Sequence, residues 1–403
     1  MPAGRSTARK PTSRRSARRG AERPLRGGDT LTEIAPWWEA ELTADDLRAL
    51  DPGPGELDLR PDVLVVGGGA VGLAAAVMCR RAGLGRVQVI ERERLASGPS
   101  GSAAGGLSPG INALARPAPF VALANESLAL FRELDAEWEG ALSLRPIDWL
   151  IVSPDRIAAD AIQVGGVSVL DADETRAAEP KLIGELGGAI SVRDQLWVQP
   201  QRLAIALASR AGSVATRVTM TGLDSNGGRV VRVPTSAGDI SPGALVLATG
   251  NAPPDIPVPT VIMKGHLLVT APSRDPPRLG VASSVIALPL PDGRLLAGGT
   301  FDVGDHEPVV RRNVVEGIRS ELSRVLPGTA DLATERAWCC FRPGTPDELP
   351  VIDRVPGLEN AWLSVGHFRT GLLMAPASGR AIAGWIGGEP SDGLDAFALS
   401  RFS

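Results

Sequence analysis

Apolar residues fall along this chain in two kinds of pattern, unbroken short runs and helical stripes, and the two alternate. Val63-Leu-Val-Val66 runs directly into Gly67, Gly68 and Gly69 and then into an alanine-rich stretch, which predicts a strand, a tight turn and a helix. Val87-Gln-Val-Ile90 and Ala244–Ala248 repeat the unbroken pattern of strands covered on both faces. Helical spacing appears over Phe120–Glu139, where Leu123, Leu128, Leu130, Phe131 and Leu134 share a face, and again over Pro200–Arg210, Arg311–Val325 and the polar stretch 170–187. Ser143–Pro154, Ser213–Leu223, Val261–Val269 and Val285–Gly299 read as strands, the last folded into a hairpin by Pro291-Asp292-Gly293. Upstream, Thr32–Leu50 predicts a short helix with Trp37 and Trp38 as apolar anchors and Thr43 as a cap, ended by Asp51-Pro-Gly-Pro-Gly55.

Size and composition narrow the class. A chain of 403 residues exceeds one ordinary core, so more than one domain is expected. Hydrophobic residues at 43% and charged ones at 22% match a soluble globular protein; with no run long enough to span a bilayer and no apolar N-terminal signal, the expectation is a cytoplasmic protein without an integral membrane segment. Cys79, Cys339 and Cys340 cannot build a disulfide framework, and His266, His306 and His367 lack metal-ligand spacing, so no metal is expected. Residues 1–26 hold nine Lys/Arg against one Glu while the whole chain is −4, so the body is distinctly acidic. Residues 1–30 read as a disordered basic tail followed by an extension over 31–60. No aromatics interleave the basic residues and the acidic body would repel a polyanion, so no nucleic-acid partner is expected.

The candidate chemistry starts at the glycine turn. Gly67 lets the chain turn, Gly69 lets backbone approach a pyrophosphate, and Gly72 lets the helix press on the sheet, with Ala70 and Val71 at a helix start that faces anionic groups. Glu91 follows 24 residues after Gly67, at the end of the second strand, where a carboxylate accepts ribose hydroxyls. Next comes Ser97–Leu107, a loop of small residues that includes Pro99, Ser100, Ala104, Gly105 and Gly106 and allows close approach to a flat or anionic ligand. Thr249-Gly250 closes the strand beneath the adenine half. A single fingerprint favours one bound FAD that takes electrons straight from a substrate over a flavin fed by a second dinucleotide.

The final block is the most specific. Trp338-Cys-Cys-Phe-Arg342-Pro-Gly-Thr, then Gly366-His-Phe-Arg-Thr-Gly371, together with Lys264-Gly265, resemble the FAD-dependent amine oxidoreductases of the D-amino-acid oxidase superfamily. Within it, glycine oxidases are nearest, with Leu-Arg-Pro-Gly-Thr and Gly-His-Phe-Arg-Asn-Gly. The resemblance covers about residues 61–390. It implies an α/β fold in which a Rossmann-type FAD-binding domain with a parallel sheet (61–142, 195–260, 335–395) is interleaved with a mostly antiparallel substrate-binding domain (143–194, 261–334).

Carried over, Arg342 would pair with a substrate carboxylate, a task that suits a guanidinium fork. Gly366, His367, Phe368, Arg369, Thr370, Gly371 and Leu372 would wrap the flavin, and Arg92 and Val218 would join the cofactor site. Arg369 faces either flavin or substrate; His367 reads as a hydrogen-bonded structural residue, with a ligand-facing donor as the alternative. The chain also departs from the pattern. Ile286 opens Ile-Ala-Leu-Pro-Leu where the family has Tyr-Ile-Val-Pro-Arg, there is no tyrosine at all, and Phe301 and Gly106 replace methionines. Glycine as substrate is thereby put in doubt, and a bulkier or more apolar amine is expected. Cys340 occupies the position where sarcosine oxidases carry a cysteine bonded to flavin; quiet packing of two small thiols is the plainer reading.

The implied reaction is oxidation of an amino acid or secondary amine by hydride transfer to flavin, giving an imine and then an oxo acid plus amine, with oxygen as acceptor. No strong base is needed if the amine binds unprotonated. The alternatives are a dehydrogenase feeding a quinone or partner protein, and a flavin subunit of a larger complex. The implied partners are a small-molecule amine and an electron acceptor, and a homo-oligomer is compatible.

Overall fold

The computed structural model describes residues 30–31, 36–113, 115–158, 166–183, 186–253, 255–390 and 393–402. The expected basic tail lies outside them except for Thr30, which with Leu31 pairs antiparallel against Val310–Arg311.

Two large sheets organise the chain. The six-stranded sheet runs Val351–Arg354, Ala361–Val365, Ala244–Leu247, Val63–Val66, Val87–Ile90, Ser213–Ala215 and is parallel throughout except for its first strand, which is antiparallel to its neighbour. Val63–Val66 and Ala244–Leu247 are buried at every position, as the unbroken apolar runs required. The helix Ala70–Arg81 follows the first strand and packs on Gly371–Ile386 so closely that a Cβ at Gly379 would stand 2.8 Å from the Ala75 nitrogen. Small residues Ala74, Ala75 and Ala76 make that approach possible. Ala118–Glu137 covers the second of these helices, and Ser127 Oγ accepts the Ala377 N–H beside the helix-interior Pro376, where the helical ladder is interrupted.

The nine-stranded sheet is mostly antiparallel and runs Thr334–Gly344, Val261–Thr270, Leu295–Gly298, Ile286–Pro289, Gly280–Ala282, Arg145–Ser153, Gly188–Trp197, Gly106–Leu107, with Val167–Asp171 also on Gly188–Trp197. The helix Arg312–Val325 lays Val315, Ile318, Leu322 and Val325 on its outer face against Leu268, Ala287 and Ala297. Leu290 and Arg294 close the expected hairpin. The expected α/β architecture of a parallel sheet interleaved with an antiparallel one is present, and the chain crosses between the sheets repeatedly. Thr334–Gly344 pairs along its length with Val261–Thr270, so the segment assigned to the cofactor side from 335 onward starts in the antiparallel sheet and leaves it only after Gly344.

Three local readings are corrected. The stretch 170–187 is not one helix: Val167–Asp171 is a strand and only Ala172–Ala178 is helical, started by an Asp171–Glu174 capping box and stopped ahead of Pro180. Ser213–Leu223 is a strand only over Ser213–Ala215, because Arg217 adopts a left-handed conformation at φ 61°. The helix expected over Thr32–Leu50 is a 3-10 turn at Trp37–Glu41 and a separate helix at Ala44–Leu50 that Thr43 caps in a box with Asp46; Thr32 lies outside the described residues. A small three-stranded meander, Asp224–Asn226, Arg229–Thr235 and Gly238–Ile240, has no counterpart in the sequence reading.

Candidate active site

A cavity of about 980 Å³ lies between the two sheets. One end is built by the glycine turn. Gly67 has φ +121° and a Cβ there would fall 2.3 Å from the Ala248 oxygen, so no other residue fits without shifting the backbone. Gly72 lets the helix meet the turn, since its Cβ would stand 2.0 Å from the Gly67 oxygen. Gly69 caps the helix without a side chain, and the Ala70 N–H donates to Ser100 Oγ at 3.0 Å, which ties the small-residue loop to the helix start. Glu91 Oε2 accepts the Gly68 N–H at 2.7 Å and Oε1 accepts the Glu93 N–H at 3.0 Å. The carboxylate therefore braces the turn, and it retains acceptor capacity toward the cavity that it lines.

Of the sequence-predicted residues, Gly67, Gly69, Val71, Glu91, Arg92, Pro99, Ser100, Ala104, Gly105, Gly106, Val218, Thr249, Gly250, Ile286, Phe301, Cys340, Arg342, His367, Phe368, Arg369, Thr370, Gly371 and Leu372 all line this one cavity. Ala70, Gly72 and Gly366 stand behind it. Gly366 is left-handed at φ +70° and its N–H donates to the Gly250 oxygen at 2.9 Å, joining the two segments. Sequence reasoning missed four polar groups on the lining. Ser108 Oγ, Asn112 Oδ1, Trp149 Nε1 and Ser364 Oγ are buried without a hydrogen-bond partner among the described residues. Unsatisfied groups of this kind suit a large polar ligand, and with the glycine cradle they fit a flavin dinucleotide. Nothing in their local sequence singled them out.

The other end carries cations. Arg342 Nη1 donates to the Thr300 oxygen at 2.8 Å, and its guanidinium lies against Gly265, where a Cβ would stand only 2.3 Å from Nη2. The glycine in Lys264-Gly265-His266 is thus room made for the arginine across the sheet. The Arg342 and Arg369 guanidinium carbons lie 5.3 and 5.9 Å from the Phe301 ring centroid, within cation–π range. Neither forms an ion pair with any described carboxylate. Arg116, by contrast, is paired with Glu348. The Arg369 residue is exposed, yet surrounding protein still lowers its pKa, first by desolvation and then through Arg116 and Arg342, while the Glu348 carboxylate pulls the other way.

The segment bearing Phe301 is pinned from below. Lys264, fully buried, donates from Nζ to Asp305 at 2.8 Å and to the oxygens of Glu307 and Val309 at 2.7 Å. His266 Nε2 accepts the Arg311 N–H at 3.0 Å, which assigns the ring proton to Nδ1, 2.7 Å from Asp302. Burial would raise the Asp302 carboxyl, but hydrogen bonds from His266 and Thr300 outweigh it and hold the group below its usual range. Arg311, with Lys264 behind it, holds Asp305 well below the usual carboxylate range. His367 is buried with Nε2 3.1 Å from Ser378 Oγ, and burial pushes its pKa down to about 3, so the ring is neutral. Burial likewise pushes the Cys340 thiol up, leaving it protonated and a weak nucleophile.

Among the described residues no group of His, Cys, Asp and Glu is arranged to hold a metal, and no helix is long and apolar enough to cross a membrane. Comparison with known proteins gives a consistent result. The family model described as FAD dependent oxidoreductase matches residues 62–385. A glycine oxidase of Pseudomonas aeruginosa is 30% identical over 349 residues, spanning 81% of this chain and 95% of that protein. A D-amino acid dehydrogenase of Rhodopseudomonas palustris is 30% identical over 252 residues, 58% of this chain and 59% of that one. The crystal structure of glycine oxidase from Geobacillus kaustophilus superposes with a TM-score of 0.76 at 25% identity, over 85% of this chain and 99% of that one.

Proposed function

The chain belongs to the FAD-dependent oxidoreductase family, and on that premise we propose that it oxidises an amino acid or secondary amine, as a glycine-oxidase-like enzyme that hands the electrons to oxygen. FAD, when bound, supplies a two-electron acceptor for the hydride that leaves the substrate α-carbon. Gly67, Gly69 and the helix start would hold its pyrophosphate, Glu91 its ribose, and residues 366–372 its ring. The segments 61–142, 195–260 and 345–395 form the cofactor side of this reading, and 143–194 and 261–344 the roof over the reacting end.

The observation that carries the reading is Arg342, a guanidinium with no acid partner among the described residues, held on the cavity wall by the Thr300 oxygen and by the space over Gly265. One N–H is committed to Thr300, so the fork is fixed in orientation and its remaining donors can take a carboxylate. Orientation of this kind sets the α-carbon where a hydrogen can leave. No acid–base group is required at the roof: a substrate bound as the free amine supplies its own lone pair as the C=N bond forms, and water then cleaves the imine to an oxo acid and ammonia or a smaller amine. The neutral, Ser378-bonded His367 plays no part as a base in this scheme.

Anaerobic bleaching of the holoprotein by a panel of amino acids and N-alkyl amino acids tests the proposal. Arg342→Ala should cost about 2–5 kcal/mol of transition-state binding, a loss of roughly 30-fold or more in kcat/KM. Failure of every amine to bleach the flavin would end this reading. The likeness to a D-amino acid dehydrogenase favours a second, in which the acceptor is a quinone or partner protein; rapid mixing of reduced protein with air decides between them.

A further inference from the structure

We infer that the roof sheet carries a subsite for an apolar side chain, so that the substrate is a neutral α-amino acid with a branched aliphatic or aromatic side chain rather than glycine. This rests on the oxidase reading and adds the substrate class. The subsite is a row that the register lays across five strands. Ile151 pairs with Ala282, Ala282 with Ile286, Ile286 with Gly298 and Gly298 with Leu267. Residues directly opposite each other on paired strands share a face, so all of them stand on one face of the sheet, and all of them line the cavity. Ile151 and Ile286 are its partly exposed side chains, with the small Ala282 between them.

No side chain in the row is polar. On the opposite face of the same strands, Leu150, Val281, Ala287, Ala297 and Leu268 belong to the cluster under the helix Arg312–Val325, so their apolar surface already has a protein partner, whereas the inner row borders the cavity. Ser283, which follows Ala282 on the lining, donates its hydroxyl to Glu321 of that helix at 3.0 Å and so does not interrupt the row. Trp149, two residues before Ile151 on the same face, lays its ring over Gly280, where a Cβ would stand 2.5 Å from Cε3, and extends the apolar surface with its unpaired Nε1 buried. Arg342 stands beside the end of the row. Its guanidinium occupies the space over Gly265, two residues from Leu267 on the same face, which is about 7 Å along the strand. A side chain the size of leucine or phenylalanine bridges that step when its carboxylate sits on the guanidinium, and glycine leaves the row uncovered. An aspartate or asparagine side chain would lose its water against the row and find no partner there. The bulkier, more apolar amine expected from Ile286 thus has a place to lie.

The test uses the holoprotein and two comparisons in both enantiomers: leucine and phenylalanine against glycine, and leucine against asparagine, which has nearly the same shape. In anaerobic bleaching the apolar side chain should lead by about tenfold or more in kcat/KM, the usual gain from burying one such side chain. Ile286→Asn sets a carboxamide in the middle of the row and should bring the leucine-to-glycine ratio toward one, while Ile286→Val keeps most of it. A second readout needs no turnover: 4-methylpentanoate, which is leucine without its amine, should perturb the flavin spectrum of the parent at a concentration about tenfold or more below that required of acetate. Glycine or asparagine that bleaches as well as leucine would overturn the apolar subsite and leave the oxidase reading standing. If no amine bleaches, the oxidase reading fails; 4-methylpentanoate that binds no tighter than acetate would then dismiss the subsite as well, and tighter binding that Ile286→Asn abolishes would uphold it.

Discussion

Trp38 lies outside the family match, which begins at residue 62, yet it is fully buried, and its indole N–H donates to the Gly101 oxygen at 3.0 Å. Its ring meets Trp338 edge-on at 5.3 Å, and Trp338 in turn donates to the Ser102 oxygen at 2.9 Å. The short helix Pro99–Ser102, which presents Ser100 to the helix start and the cavity, therefore hangs from two indoles, one of them supplied by the N-terminal extension. Trp38→Ala should cost about 3–5 kcal/mol, the usual loss for a fully buried tryptophan. Spread over 403 residues at about 2.1 cal/mol/K each, that is a fall on the order of 4–6 °C in the Tm of a single cooperative transition. Because the lost contact lies between the extension and the loop, part of the cost should appear as local loosening of the loop, with the Kd for FAD raised about tenfold or more. Trp38→Phe keeps most of the packing and loses only the donor, at about 1 kcal/mol. Calorimetry of the holoprotein and titration of the apoprotein with FAD measure both effects. An alanine variant with native flavin affinity and a Tm within about 1 °C of the parent would show that the extension supports nothing, and a lowered Tm with native affinity would confine its role to packing.

Three shorter predictions concern the site itself. His367 takes up a proton near 6.5 when unfolded but only near 3 when folded, so between those values the unfolded chain holds the extra proton and stability falls as pH falls, by about 1.4 kcal/mol per unit. Thermal melts of the parent and His367→Asn across that window should diverge on the acid side; parallel curves would refute the assignment. Cys340 is protonated and buried, so acid precipitation should release all the flavin and leave a colourless pellet, whereas a yellow pellet that turns colourless in Cys340→Ser would establish a covalent bond there. Gly265→Ala would drive a methyl to 2.3 Å from Arg342 Nη2 and should lower kcat/KM by roughly 10- to 100-fold with flavin content as the internal control; unchanged kinetics would mean that Arg342 does not need that space.

Much of this arrangement was legible in the chain because its signals are local. The clamp at Gly67–Gly72 is a backbone requirement, and backbone requirements leave glycines in fixed order; the clashes a Cβ would meet at Gly67 and Gly72 are the physical content of that pattern. The apolar runs Val63–Val66 and Ala244–Leu247 could only be central strands. What stayed hidden depends on contacts between distant segments. Asn112, Trp149 and Ser364 reach one cavity from a short helix and from strands of both sheets, and no spacing announces such a meeting. The misread stretch 170–187 failed for another reason: its polar composition resembles a surface helix, while its start belongs to the strand Val167–Asp171 and Pro180 lies just past the short helix that follows.

The tripeptide Lys264-Gly265-His266 shows how a single strand can serve both faces of the roof. Side chains alternate along a strand, so Lys264 and His266 share one face and Gly265 opens the other. On the first face the two cationic or cation-capable groups are consumed by Asp305, Asp302 and three backbone groups between Glu307 and Arg311, which fixes the connection that follows Gly299. On the second face the missing side chain at Gly265 admits the Arg342 guanidinium from the paired strand, where Cys340 is the residue directly opposite. The two faces are joined at Thr300: its hydroxyl accepts the His266 N–H and donates to Asp302, while its carbonyl oxygen takes a hydrogen from Arg342. Orientation of the candidate substrate-binding arginine is therefore set through Thr300 by Lys264 and His266, which are fully buried and do not line the cavity.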